Sequence, residues 1–299
     1  MNQIDTPGVY EETWLETPDG VSLFCRQWKS QAASRGDATL VFVHGACEHG
    51  GRHVGFAEKA ARAGWSVILP DLRGHGKSTG PVVHVERFEQ YLEDLRVLFG
   101  HYGLDPERTV ILGNSMGGLI SIRWNQWQAA HAGQPGCARL CLVSPLLGIR
   151  HPIPEWKKSL AHLLGTHFPQ TRFRSTINPA DLTHDEEVLR QRREDPLLRR
   201  AVTARWYLEI DRALGEVFRQ LNGFAVPTDI YQAGEDRIVD PLAARAWADL
   251  VNRHTGDSLV SFRLFPGWYH ELLKETQAAS MHELILSRLE PVLQACSPV

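Results

Sequence analysis

Six short runs of continuously apolar, largely β-branched residues recur along the chain: TLVFVHG (Thr39 to Gly45), SVILP (Ser66 to Pro70), TVILGNS (Thr109 to Ser115), LCLVS (Leu140 to Ser144), TDIYQAG (Thr228 to Gly234) and VSFRLF (Val260 to Phe265). A strand with one wet face alternates polar and apolar residues. These runs do not, which is the pattern of strands buried on both faces of a parallel sheet. Most intervals between them carry a helical stripe; in VERFEQYLEDLRVLF the residues Val85, Phe88, Leu92, Leu95 and Phe99 recur at spacings of three and four. Strands alternating with such helices predict an α/β fold with a doubly wound sheet, in which ligands bind beyond the carboxyl ends of the strands. Val9 to Trp28 adds two strands joined at the turn trio Pro18-Asp19-Gly20. One interval breaks the rhythm. Between Ser144 and Thr228 the signals are helical (PEWKKSLAHLLG, HDEEVLRQRRED, TARWYLEIDRALGEVFRQL) and no run reads as a buried strand. The expected organisation is a core of residues 1–145 and 226–299 carrying a helical insertion over residues 146–225.

Composition narrows the function. The 299 residues are 43% hydrophobic and 22% charged, ordinary for a globular protein. A net charge of −3 gives no electrostatic reason to expect nucleic acid or an anionic membrane as partner. No apolar run has the length of a membrane span, and MNQIDTPGVYEETW lacks the basic start and apolar stretch of a signal peptide. Cys25, Cys47, Cys137, Cys141 and Cys296 are odd in number without zinc-like pairing, so free thiols and a cytoplasmic location are expected.

The chemistry falls at strand ends. Gly113-Asn114-Ser115-Met116-Gly117 is a G-x-S-x-G placed between an apolar strand and the helical GLISIRWNQWQAA. In a nucleophile elbow the turn is so tight that small residues must flank the serine, which lifts its hydroxyl above the sheet. The bland alternative is a strand-to-helix turn whose serine caps the helix. A serine hydroxyl needs a general base, and the base needs an orienting acid, in the chain order serine, acid, histidine for this architecture. GEDRIVD follows one downstream strand and FPGWYHELL the last, so Asp236 and His270 become the candidate acid and base. Glu235 and Asp240 compete with Asp236 as solvated charges or helix caps. In FVHGACEHGGRH, the turn at His44-Gly45 aims the N–H of Ala46 at the same edge; with the N–H of Met116 it forms a candidate oxyanion hole. His44, His49 and His53 lack the carboxylate or cysteine spacing of a metal site, and none is expected. GHGKST imitates the end of a phosphate loop, but residue 71, where the leading glycine belongs, is Asp71.

The series HGACEHGGR, DLRGHGKS, GNSMGG, EDRIVD and YHELLKE resembles the monoacylglycerol lipase and lysophospholipase-like group of α/β-hydrolases, from about residue 13 to residue 290. The resemblance implies Ser115 as nucleophile, His270 as base, Asp236 as acid, Ala46 and Met116 as oxyanion donors, no cofactor, and a helical cap over an acyl-chain pocket. It also implies that Asp71, Arg73 and His75 are bonded internally in a loop flooring the site, with Lys77 solvated. Cys47 stands where the family often has glycine, and Ala233 where a glycine precedes the acid. The expected substrate is a monoacyl lipid ester, a monoacylglycerol or a lysophospholipid; a small ester or amide is the alternative, and a noncatalytic binding module a remote one. Trp156, Leu160, Leu163, Leu164 and Phe168 lie at mostly helical spacing and read either as the lining of an acyl tunnel or as packing of the cap. LRQRREDPLLRR (Leu189 to Arg200) reads as a solvated face, or as arginines receiving a lipid phosphate. The cap helices are expected to touch lipid interfaces reversibly.

Overall fold

A computed structural model of the chain describes residues 9–30, 38–151, 154–174 and 177–296, with the side chain of residue 157 excepted. The first eight residues, read for a leader, and most of the polar connection before the third strand lie outside the described residues. The strands β1 (Val9–Glu16) and β2 (Ser22–Lys29) form an antiparallel hairpin, followed by β3 (Thr39–Val43), helix α1 (Val54–Arg62), β4 (Ser66–Pro70), α2 (Glu89–Tyr102), β5 (Thr109–Asn114), α3 (Met116–Ala132) and β6 (Arg139–Val143). The chain then leaves the sheet for α4 (Glu155–His167), β7 (Arg172–Arg174), α5 (Glu186–Glu194), β8 (Ala201–Thr203) and α6 (Ala204–Arg219). It returns through β9 (Thr228–Ala233), α7 (Pro241–Thr255), β10 (Val260–Phe265) and α8 (Ala278–Ala295). The main sheet has the order β1-β2-β4-β3-β5-β6-β9-β10, parallel from β4 onward, while β7 and β8 pair with each other.

Why the strands read as unbroken apolar runs is visible in the packing. In β3, Val41 and Val43 face a core shared with α2, α3, α6 and α7, whereas Leu40 and Phe42 face the one built on α1 and α8. In β5, Ile111 faces the first, and Val110 and Leu112 the second. Side chains alternate as in any strand, but both faces are covered, so neither set can be polar. The α2 stripe begins later than the sequence predicts. Phe88 donates its N–H to the buried Glu209 carboxylate of α6, and Glu86 N–H donates to Gln90 Oε1. Val85 and Phe88 are buried, but ahead of the helix. The two strands β7 and β8 carry no sequence signal because they are three residues long and largely unburied.

Candidate active site

The strand β5 ends at Asn114, and α3 begins two residues on, at Met116. That leaves one residue to reverse the chain. Ser115 does so with φ 53° and ψ −116°, a strained conformation for a side chain with a Cβ. The flanking glycines are forced by contact: a Cβ on Gly117 would lie 2.0 Å from the Val43 carbonyl oxygen, and one on Gly113 2.6 Å from that of Gly117. The peptide of Ser115 is fixed by donation to the Val143 carbonyl and by acceptance from Gly118 and Leu119.

His270, in the loop after β10, places Nε2 3.0 Å from Ser115 Oγ and Nδ1 2.8 Å from Asp236 Oδ2. Asp236 follows β9, and its other oxygen accepts from the N–H groups of Ile238 and Val239, both at 2.9 Å. These bonds leave Nδ1–H of His270 donating to the carboxylate and Nε2 free to accept from the serine hydroxyl. Burial would raise the Asp236 pKa, but His270 and the two backbone donors hold it below the ordinary value. Burial would lower the His270 pKa, but Asp236 leaves it above the ordinary histidine value. Of the competing acids, Glu235 is exposed and Asp240 caps α7 through the Leu242 N–H.

The loop after β3 is organised by His44 and by Glu48, a side chain that the sequence does not single out. Leu72 N–H donates to His44 Nε2, so His44 Nδ1 carries the proton and donates to the Gly45 carbonyl at 2.7 Å. Glu48 Oε1 accepts from Gly45 N–H at 2.8 Å and Asn114 Nδ2 at 2.9 Å, tying this loop to the elbow. Burial would raise the Glu48 pKa, but Lys274, 3.1 Å from Oε2, helps hold it well below the ordinary value. Among the described residues neither the Ala46 N–H nor the Met116 N–H has a protein acceptor. Both are available for a developing negative charge, and Met116 opens the positive end of α3. His49 pairs with Asp195, and His53 with Glu48.

Beneath this loop, Asp71 accepts from Arg26, Gly50 N–H and Lys77 N–H. Arg73 bridges Asp19 and Asp94, and His75 Nδ1 donates to the Arg73 carbonyl. Gly76 has φ 52°, and a Cβ there would meet Asp71 Oδ2 at 2.2 Å. Lys77 is 43% exposed, with Nζ 3.7 Å from Glu12.

A cavity of about 380 Å³ opens onto Ser115. Its wall is apolar along Leu146, Trp206, Ile210, Leu214 and Val239, and polar at Glu48, Arg192 and Glu271. The α4 residues expected to line an acyl tunnel are elsewhere. Trp156 is 66% exposed, Leu160 44%, Leu163 55% and Phe168 64%, and Leu164 is half-buried; none of the five lines the cavity. The small Gly165 lets α4 approach α6 at Ala204 and Leu208, turning the apolar stripe outward. The lining instead comes from α6, where Trp206, Ile210 and Leu214 recur every four residues in TARWYLEIDRALGEVFRQL. That spacing was present in the sequence and points to the lining helix once the elbow is located.

The family model described as "Serine aminopeptidase, S33" matches residues 34–277. The chain belongs to this family. It is a serine ester hydrolase with the α/β-hydrolase fold. It is 30% identical to the human monoglyceride lipase over 267 residues, which are 87% of this chain and 84% of the relative. It is 29% identical to phospholipase YtpA of Bacillus subtilis (strain 168) over 256 residues, 84% of this chain and 93% of the relative. The crystal structure of Paleococcus ferrophilus monoacylglycerol lipase superposes with a TM-score of 0.79 at 22% identity, covering 92% of this chain and 99% of that one, a likeness of fold.

Proposed function

We propose that this S33 member hydrolyses a monoacyl lipid ester through an acyl-enzyme on Ser115. The observation that carries the reading is the chain of bonds Ser115–His270–Asp236, with Ser115 and His270 lining a cavity that has an apolar wall. Ser115 Oγ attacks the ester carbonyl as His270 Nε2 takes its proton, and Asp236 stabilises the imidazolium. The N–H groups of Ala46 and Met116 hold the oxyanion, a contribution of about 3 kcal/mol per donor. The carbon–oxygen bond to the alcohol then breaks, and His270 returns the proton to that oxygen. Water repeats the sequence on the acyl-enzyme and releases the fatty acid. Residues 146–225 act as a cap that supplies the apolar wall through α6.

A chain-length series tests the lipid reading. Burial of each methylene is worth about 0.8 kcal/mol, so kcat/KM on p-nitrophenyl esters is expected to rise up to about fourfold per added methylene until the cavity is filled. A rate that is highest for acetate and falls with length contradicts a lipid substrate. The exposed α4 face supplies a second expectation. Trp156, Leu160, Leu163 and Phe168 are four exposed large apolar side chains within one short stretch of the chain, suited to a lipid interface. The protein is expected to co-sediment with phosphatidylcholine vesicles, and Trp156→Glu with Leu163→Glu to weaken this. Absence of sedimentation at any lipid composition contradicts interfacial docking.

A further inference from the structure

Three ionisable groups of the cavity wall have partners away from Ser115: Asp181 pairs with Arg237 at 2.8 Å, Arg237 lies over the Tyr269 ring, and Asp211 is 3.1 Å from His162, which is not part of the wall. Glu48, Arg192 and Glu271 form the polar end of the wall beside Ser115: Glu48 bonds the Gly45 N–H and the Asn114 side chain, and Glu271 follows His270 in the chain. There the core brings two carboxylates, Glu48 and Glu271, and two cations behind them. Lys274 Nζ is 3.1 Å from Glu48 and 3.4 Å from Glu271, while Arg52 is 3.7 Å and 3.4 Å from the same two. Asp195, 3.9 Å from Arg52 and bonded to His49, lies outside the cavity wall, as do Arg52 and Lys274. Counted with Asp195, three carboxylates of this cluster face three cations, Lys274, Arg52 and Arg192.

Arg192 arrives from α5 as the cation of this cluster that lines the cavity. Its Nη1 donates to Glu271 Oε1 at 3.0 Å, and among the described residues the other guanidinium N–H donors have no acceptor at the cavity wall. Burial would raise the Glu271 pKa, but Lys274, Arg52 and Arg192 together hold it below the ordinary value, so Arg192 shares this acid with two other cations. The neighbouring arginines are occupied or remote. Arg190 is bonded to Glu187 and Glu194 on its own helix, Arg199 to the Gly76 carbonyl, and Arg193 and Arg200 are exposed outside the wall.

We infer that Arg192 reads the alcohol half of the substrate and favours one carrying an anionic phosphate, as in a lysophospholipid. The inference rests on the lipid-ester reading above. A guanidinium with spare donors in a partly buried wall binds phosphate through charge-assisted hydrogen bonds, whereas a neutral glycerol takes hydrogen bonds alone.

The test uses three substrates with one acyl chain, each below its micellar concentration: 1-lauroylglycerol, 1-lauroylglycerol-3-phosphate and 1-lauroylglycero-3-phosphocholine. In Arg192→Gln the kcat/KM ratio of either phosphate ester to the neutral one is expected to fall about tenfold or more. Arg192→Lys is expected to recover most of that ratio, and Arg190→Gln, two residues away on the surface, to keep it. A fall confined to the monoester identifies a terminal phosphate as the group read; a fall in both identifies the phosphate common to them. Hydrolysis of all three esters with an unchanged ratio in Arg192→Gln, or an equal loss on all three, overturns the inference alone. Hydrolysis of none by the parent protein removes the lipid-ester reading and the inference with it.

Discussion

Ser115→Ala is expected to lower hydrolysis of every ester substrate by about 10⁵- to 10⁶-fold in kcat, while substrate binding survives. The size follows from the mechanism: without Oγ no covalent bond forms, and His270 has no proton to move. The residual rate reflects the cavity and the two N–H donors acting on a water attack. Structure is expected to persist, because the serine side chain carries one hydrogen bond, to His270, and the elbow is held by its backbone. Removing the Cβ substituent at φ 53° adds no strain. The thermal unfolding midpoint should stay within a few degrees of the parent. A variant that retains a tenth of the parent rate contradicts Ser115 as nucleophile.

Asp236→Asn is expected to lower kcat by about 10⁴-fold through a different cause. The carboxylate accepts from His270 Nδ1–H and so leaves Nε2 facing Ser115 as an acceptor. An amide can instead donate to Nδ1, which puts the proton on Nε2 and turns the base away from its task. The same carboxylate sets the pH profile. His270 must be neutral to accept the serine proton, and Asp236 raises its pKa above the ordinary value. The rising limb of kcat/KM in the parent is therefore expected to have its midpoint above about pH 6.5, the unperturbed histidine value, with activity lost as pH falls through it. In Asp236→Asn the limb should move to lower pH, since the charge that favours the imidazolium is gone. A limb that stays in place, or moves upward, contradicts the assigned role of Asp236.

What could be read from the residues, and what could not, follows from how locally each signal is written. TVILGNSMGG states its own structure: the run is buried on both faces, and only small residues fit where Gly113 and Gly117 meet neighbouring backbone. Asp236 and His270 are legible because their loops follow β9 and β10, and parallel strands bring such loops to one edge. Glu48 was not, although it ties Gly45 to Asn114, because those partners are distant in sequence and meet only across two strand ends. The α4 stripe shows the limit of periodicity. Spacing establishes that Trp156, Leu160 and Leu163 share a face, but not which way the face turns. Gly165 decided that by seating α4 on α6. Arg192 is similar: the five arginines in LRQRREDPLLRR look alike until α5 is placed against Glu271.

The most direct measurement is to expose the protein to a fluorophosphonate with a lauryl-length chain and map the adduct by peptide mass spectrometry. One phosphonyl group per chain on Ser115, formed at a rate that falls at least a hundredfold in His270→Ala, is the predicted result. An adduct on another residue, or equal labelling in Ser115→Ala, contradicts the nucleophile and the mechanism built on it.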